Sequence, residues 1–281
     1  MAEEGRTTSK SLHTNPFTDQ YTYERQAIHA NIIVDILAEL DNEEYPYLDN
    51  AKMIFTGGPP ASGKNTILFM FLETEAWSEA IPIIIDPDEI KRRLPEYIAT
   101  SVDADYTERV SDFLHLESGD IAWRCFEEVL TRDKSFGVFV VTLSDYEWSE
   151  KMISQAKEAG FAVDLLFAYA PLEVCQSREE KRRLETKRGV PADVLERKHA
   201  EFSSHFGYIA ALGDFVSLFN NSRDSSEISD DDNDEIVRYN RVPVSEIINE
   251  LKSSPHIESH IDHNSHSKGR IQFSFLRKKD F

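Results

Sequence analysis

GPPASGKNT, residues Gly58 to Thr66, matches the pattern G-x-x-x-x-G-K of a phosphate-binding loop, or P-loop. Such a loop needs glycines because its backbone must bend until several N–H groups point at phosphate oxygens, and the following helix N-terminus adds positive potential. An apolar strand candidate, Met53–Thr56, precedes the loop, and a helix-compatible segment, Thr66–Leu72, follows it. The pattern predicts a nucleoside triphosphate site formed by Gly58, Pro59, Pro60, Ala61, Ser62, Gly63, Lys64, Asn65 and Thr66.

Within this loop, Lys64 is expected to neutralise the β- and γ-phosphates, whereas Asn65 departs from the usual pattern. Asn65 stands where a Ser or Thr hydroxyl normally ligates Mg²⁺, and an amide oxygen is a less favourable ligand. Nucleotide binding is therefore better supported than turnover. For the bare pattern, a glycine-rich turn that binds nothing is the alternative.

The composition indicates one domain with polar ends. The chain has 281 residues, a formal net charge of −20 and 40% hydrophobic residues. We expect a loose N-terminus at 1–20, a domain at 21–252 that contains an acidic disordered loop at 222–236, and a His-rich polar tail at 253–281. The acidic balance argues against a nucleic-acid partner.

The expected setting is cytoplasmic. Cys125 and Cys175 are too few for a disulfide scaffold, and the N-terminus lacks the apolar segment of a secretion signal. No apolar run approaches the roughly 20 residues that cross a bilayer, so no membrane association is expected.

Strand and helix patterns alternate, which predicts an α/β fold with a parallel sheet flanked by helices. Strand candidates are Met53–Thr56, Ile81–Ile85, Phe136–Leu143, Phe161–Tyr169 and Val216–Phe219. Helix candidates are Thr22–Leu40, Thr66–Leu72, Asp105–Thr131, Ser149–Ala159, Leu172–Arg183 and Val242–Leu251. Ligands of such sheets bind outside the carboxyl ends of the strands, where the P-loop, Asp86, Asp88 and Thr142 are all expected.

Phosphoryl transfer needs a nucleotide cradle, charge compensation and a carboxylate near the accepting hydroxyl. Asp88 is the candidate base, and Asp86 would place the turn or the metal. In the basic stretch from Arg178 to Lys198, Arg178 and Arg188 are the candidate lid arginines, because guanidinium groups pair well with phosphate oxygens. Candidate substrate contacts are Asp86, Lys91, His115, Glu117 and Thr142.

Each of these features has a structural alternative. Asp86-Pro87-Asp88 is also typical of a turn and helix cap, and the basic stretch is also typical of a solvated helix with Glu/Arg pairs. His115 can equally be a structural histidine. The apolar stripe of Thr22–Leu40 fits ordinary packing, although a helix lying over the cleft would give autoinhibition.

Several motifs, in their order along the chain, resemble those of the zeta toxin family of P-loop kinases. They are the P-loop, the run Asp86-Pro87-Asp88-Glu89-Ile90-Lys91 with Pro95, then His115, Thr142 and the Arg178–Arg188 segment. The resemblance covers roughly residues 50 to 222. It implies ATP and Mg²⁺ as cofactors and a sugar hydroxyl of UDP-N-acetylglucosamine as acceptor. It also implies Asp88 as the base, Lys64 as the P-loop lysine and Arg178 with Arg188 as charge-compensating lid residues.

The sequence departs from the family at Asn65 and at Val140-Val141, where relatives carry an acidic residue and glycine. We therefore keep two hypotheses: a zeta-type kinase acting on a nucleotide-sugar-like metabolite, and an ATP-binding pseudo-kinase that acts as a binding or regulatory module. Zeta toxins are held inactive by separate antitoxin helices, so the resemblance also implies an inhibitory helix or antitoxin-like partner.

Overall fold

The computed structural model describes residues 7–38, 50–72, 82–100, 110–132, 135–186, 190–221 and 242–243. The strands are β1 (Lys52–Gly57), β2 (Ile83–Ile85), β3 (Phe136–Phe139), β4 (Ala162–Tyr169), β5 (Phe215–Asn220) and β6 (Val242–Pro243). The helices are α1 (Ser9–His13), α2 (Tyr23–Leu37), α3 (Lys64–Leu72), α4 (Pro87–Arg93), α5 (Pro95–Thr100), α6 (His115–Leu130), α7 (Tyr146–Glu158), α8 (Leu172–Thr186) and α9 (Ala192–Ala210).

These strands form one sheet in the order β2-β3-β1-β4-β5-β6. The first five strands are parallel, and only β6 among the described strands runs antiparallel, against β5. Strand β1 lies in the interior, with Lys52 opposite Phe136 of β3 and Ala162 of β4. The carboxyl ends of the parallel strands therefore share one edge, and the predicted parallel sheet flanked by helices is confirmed.

Both faces of the sheet are covered, which explains why its strands are almost continuously apolar. Successive residues of a strand point to opposite faces, so Phe55 joins the larger core cluster while Ile54 joins the smaller one. Helices α2, α6, α7 and α9 contribute to the larger cluster, and α3 covers the other face. Cys125 and Cys175 are both fully buried.

The N-terminal helix candidate is confirmed and packs against the core. Thr22 caps α2 by accepting a hydrogen bond from the Arg25 backbone N–H. Ile32, Ile36 and Leu37 of α2 are buried in the larger cluster. The packing alternative thus accounts for the apolar stripe, and α2 contacts α6 and β2. Among the described helices, none combines the length and apolar character that crossing a bilayer requires.

Several elements differ from the sequence prediction. The strand predicted over Phe136–Leu143 ends at Phe139, although the Val140 backbone N–H still donates to the Ile85 carbonyl. Val242–Pro243, predicted as the start of a helix, is strand β6 because it pairs with β5. Helices α1, α5 and α9 were not predicted, and α1 lies in the N-terminal segment that was expected to be loose, where Ser9 is buried. The acidic loop at 222–236, the tail at 253–281 and Arg188 lie outside the described residues.

Candidate active site

The P-loop connects β1 to α3 at the carboxyl edge of the sheet. Gly58 has φ +136°, and a Cβ there would lie 2.1 Å from the Ala168 carbonyl oxygen. Its backbone N–H donates to the Thr142 carbonyl at 2.8 Å, which fixes the loop against the segment after β3. Gly63 has φ +88° at the start of α3. Glycine is required at both positions, and the loop takes the tight turn that phosphate binding needs.

Lys64 is folded into its own loop. Its Nζ donates to the Gly58 carbonyl at 3.0 Å and to the Pro59 carbonyl at 3.1 Å. Burial lowers the pKa of Lys64 to about 8, and the nearby charge of Arg182 adds to this effect. The negative charges of Asp88 and Asp86 oppose it, because they favour the ammonium form. Lys64 and Asp88 therefore lie within each other's electrostatic field.

Asp86 and Asp88 follow the end of β2, as the sequence predicts. Asp86 caps α4: its Oδ1 accepts from the Asp88 backbone N–H at 2.8 Å, while its Oδ2 lies 3.5 Å from Nδ2 of Asn65. Asp86 is buried, and burial raises the pKa of its carboxyl, with a further increase from the charges of Asp88 and Glu89. The cap alternative is thus correct for Asp86, and the same turn presents Asp88.

Asp88 itself is accessible. Its side chain is 60% exposed, and Oδ1 accepts from Nζ of Lys91 at 2.8 Å. The Lys91 side chain is buried, so Asp88 is held by a lysine that has little freedom to move. An exposed carboxylate fixed near the P-loop lysine is the arrangement required of a base that meets an incoming hydroxyl.

His115 lies at the start of α6, close to Asp88. Partial desolvation lowers the pKa of His115 and the charge of Lys91 contributes, whereas Asp88 and Asp112 raise it. Lys198 of α9 also lowers this pKa, so α9 reaches the same region. The structure therefore brings His115 and Lys91 close to Asp88, and the lowered pKa of His115 favours its neutral ring.

Thr142 also lies at this edge, in the segment that follows β3. Its Oγ1 lies 3.2 Å from the Ser144 Oγ, and its carbonyl holds Gly58. Val140 and Val141, by contrast, are buried in the two core clusters on opposite faces of the sheet. These valines consequently contribute packing, with no carboxylate at this point of the edge.

Glu117 is not at an open surface, contrary to expectation. It is fully buried, and its carboxylate accepts hydrogen bonds from Ser9, His29 and Arg25, the last from Nη2 at 2.8 Å. Burial opposes ionisation of Glu117, but these hydrogen bonds outweigh it and lower its pKa to about 2. The substrate role expected for Glu117 is therefore corrected to a structural one: it holds the N-terminal helices on α6.

The basic stretch places two arginines of α8 near the P-loop. Nη1 of Arg178 donates to the Asn221 carbonyl at 2.8 Å. Arg182 hydrogen-bonds to Glu179 and lies near enough to Lys64 to affect its pKa. Arg182 was not singled out within the basic stretch, although its position one turn after Arg178 indicates that the two arginines share a helix face.

Sequence reasoning also missed Asn221, which follows β5. Its Nδ2 donates to the Ser62 carbonyl of the P-loop at 2.9 Å. No motif singles out this asparagine, and 159 residues separate it from Ser62. The one available signal was its place directly after a strand of a parallel sheet, where ligand-binding residues gather.

A family model described as "Zeta toxin" matches residues 37–235, more than half of the chain. The chain belongs to the zeta toxin family. The resemblance carried by the P-loop and the Asp86–Lys91 run is thereby confirmed. No curated protein sequence matches the chain.

Solved structures give the same fold for this zeta toxin family member. One belongs to the PezAT chromosomal toxin–antitoxin system of the human pathogen Streptococcus pneumoniae, with TM-score 0.55 and 16% identity over 75% of this chain and 84% of that chain. The complex AvrRxo1-ORF1:AvrRxo1-ORF2 with sulphate ions has TM-score 0.57 and 18% identity, covering 91% and 93%. The corresponding complex with ATP has TM-score 0.56 and 17% identity, covering 91% and 93%. The predicted P-loop kinase-like fold is confirmed.

Proposed function

We propose that this protein is an ATP-dependent phosphotransferase of zeta toxin type. The observation that carries the proposal is that Lys64 follows β1 and Asp88 follows β2 at the carboxyl edge of the same parallel sheet. Family membership and the fold shared with an ATP-bound structure support ATP as the donor. Use of ATP and reduced cysteines fit a reaction in the cytoplasm.

In the proposed reaction, the P-loop amides and Lys64 hold the triphosphate, and Lys64 exchanges its two carbonyl partners for phosphate oxygens. Asp88 accepts the proton of the acceptor hydroxyl as that oxygen bonds to the γ-phosphorus, and the bond from this phosphorus to the β–γ bridging oxygen breaks, which releases ADP. Arg178 and Arg182 of α8 supply positive charge near the loop, and Arg188 is proposed to join them.

Oxygen donors beside the loop fit Mg²⁺, which is usually held by one or two protein ligands together with phosphates and waters. The Asp86 carboxylate lies there and faces Nδ2 of Asn65 at 3.5 Å, so the Asn65 amide would have to turn to offer its oxygen to the ion. Among the described residues, no cluster of three or more His, Cys, Asp or Glu residues forms an all-protein metal cage. A cation would also offset the burial and the neighbouring charges that raise the pKa of Asp86. When bound, Mg²⁺ would neutralise phosphate charge.

The proposed acceptor is a small metabolite that carries a sugar hydroxyl, with UDP-N-acetylglucosamine as the candidate taken from the family. Lys91, His115 and Thr142 lie on the acceptor side of the cleft and offer a cation, an imidazole and a hydroxyl for recognition. Of these, Thr142 also supports the P-loop through its carbonyl.

Transfer from labelled ATP with Mg²⁺ to a pool of nucleotide sugars tests the proposal. Asp88→Asn should lower the rate at least about 100-fold because it removes the base, while ATP affinity stays close to that of the wild type. Glu89→Gln is the matched control, since Glu89 lies on the same helical turn and pairs with Arg92. Folded wild type without transfer, or an active Asp88→Asn variant, would overturn the proposal.

The second candidate is an ATP-binding pseudo-kinase, favoured by Asn65 at the metal position and by the buried valines after β3. It predicts ATP binding without turnover. Asn65→Ser restores a hydroxyl ligand, so activity that appears only in this variant would identify an impaired site. Val140→Asp is unsuitable as a companion, because it would bury a carboxylate in the core.

We also propose an inhibitory partner, since the PezAT structure comes from a toxin–antitoxin system. A helical antitoxin that covers the cleft would compete with ATP. Adding a candidate partner at increasing concentration should raise the KM for ATP, whereas an unchanged KM would exclude this competition.

A further inference from the structure

We propose that Asn221 is a positioning residue that fixes the P-loop and Arg178 relative to each other. The inference rests on the proposed function, because it assigns a role in holding the phosphate site of that reaction. Three separate contacts of Asn221 carry it, and each reaches a different element around the loop.

The side chain of Asn221 fixes the end of the P-loop. Its Nδ2 donates to the Ser62 carbonyl at 2.9 Å, and a carbonyl partner requires that the amide nitrogen face the loop. A Cβ on Gly63 would lie only 2.1 Å from the same Nδ2. Gly63 therefore leaves the space that the Asn221 amide fills.

The backbone of Asn221 connects β4 with Arg178. Its N–H donates to the Tyr169 carbonyl at 2.6 Å, which extends the pairing of β4 with β5 beyond the last strand residue. Its carbonyl accepts from Nη1 of Arg178 at 2.8 Å. One residue thus joins the loop that would hold the triphosphate to an arginine that would compensate its charge.

These contacts predict different effects on ATP binding for two substitutions of Asn221. Asn221→Ala removes only the side-chain bond to Ser62, since the backbone carbonyl that holds Arg178 remains. Asn221→Asp keeps the size but directs a carboxylate at the Ser62 carbonyl and adds negative charge close to the phosphates. The alanine variant should therefore weaken ATP binding moderately, and the aspartate variant much more.

Titration calorimetry with ATP and Mg²⁺ tests the inference on the full-length chain. We expect Asn221→Ala to raise the Kd about fivefold, as loss of one neutral hydrogen bond predicts, and Asn221→Asp to raise it about 50-fold or more. The KM for ATP should rise in parallel, whereas the KM for the acceptor should not change. Asn31→Ala, an exposed site on α2, is the matched control and should bind ATP as the wild type does.

Thermal melting separates positioning from a merely structural role. A folded Asn221→Ala variant whose ATP affinity lies within twofold of the wild type would overturn the inference while leaving the proposed function intact. Wild type that does not bind ATP would overturn both. If the alanine variant fails to fold, the uncharged Asn221→Ser variant, which also removes the amide nitrogen, decides by the same criterion.

Discussion

At the scale of single residues, Lys64 determines how nucleotide affinity responds to pH. Burial lowers its pKa to about 8 in the free protein, so the ammonium form dominates below pH 8 and is lost above it. Phosphate binding requires the charged form. The Kd for ATP should therefore rise about tenfold between pH 7 and pH 9, provided that the bound lysine stays charged.

Titration calorimetry across this pH range measures the effect. Lys64→Arg is the informative control, because arginine keeps its charge and should remove the slope even if its affinity is lower. A wild-type Kd that does not change up to pH 9 would contradict the assigned pKa.

Other residues show what sequence patterns can and cannot predict. The positions of Lys64, Asp86 and Asp88 at the sheet edge could be predicted because the contacts that fix them are local: the loop closes on itself, and Asp86 caps the helix that begins at the next residue. Asn221 and Glu117 act through partners many residues away in the chain. Their roles depend on tertiary contacts that no local spacing encodes.

At the scale of elements, Glu117 anchors helices α1 and α2 to α6. Glu117→Gln removes the buried carboxylate that pairs with Arg25 and His29, while Glu96 still pairs with the guanidinium. We expect the free energy of unfolding to fall by about 2 kcal/mol, because charge-assisted hydrogen bonds of a buried group are lost, measured by urea denaturation at pH 7. Glu128→Gln, an exposed site on the same helix, should change it by less than about 0.5 kcal/mol.

The pH dependence of the free energy of unfolding also tests the role of Glu117 and its hydrogen-bond partners. A carboxyl whose folded pKa lies near 2, below its unfolded value, stabilises the protein above the unfolded pKa of about 4.3. This stabilisation is lost as the pH falls towards 2. Glu117→Gln should therefore reduce the stability loss between pH 5 and pH 2, and an unchanged acid profile would contradict the role of Glu117.

Two of the elements that differ from the sequence prediction do so because of contacts with residues far away in the chain. Val140 and Val141 are β-branched and apolar, so composition extends the strand, but Thr56 Oγ1 accepts from the Val141 backbone N–H. This side-chain hydrogen bond takes the place of a backbone hydrogen bond between neighbouring strands. At Val242–Pro243, pairing with β5 makes the first two residues of the predicted helix a strand.

At the scale of the whole molecule, α2 belongs to the core and is not a detachable inhibitor. Removing the chain before Tyr47 would expose the core surface that Ile32, Ile36 and Leu37 cover, at about 1.5–3 kcal/mol for each side chain. The truncated protein should lose most of its stability in a thermal melt. A folded truncated protein with faster transfer would instead identify α2 as autoinhibitory.

The alternation of strand and helix patterns along the sequence was sufficient to predict the parallel sheet. The strands of such a sheet are buried on both faces, so they stand out as continuous apolar runs. Strand order was not predicted from the sequence. The position of β1 between β3 and β4 depends on how the helical connections between strands pack against the sheet, and the same sequence patterns are compatible with several strand orders.

Both thiols of this chain are fully buried, and burial raises the pKa of Cys125 to about 12 and that of Cys175 to about 11. In the native protein, Cys125 and Cys175 should therefore react only slowly with maleimide dyes. A cysteine introduced at Leu184, which is 69% exposed on α8, would be the sole site of rapid labelling. A fluorophore there would report directly on movements of the arginine-bearing helix during turnover.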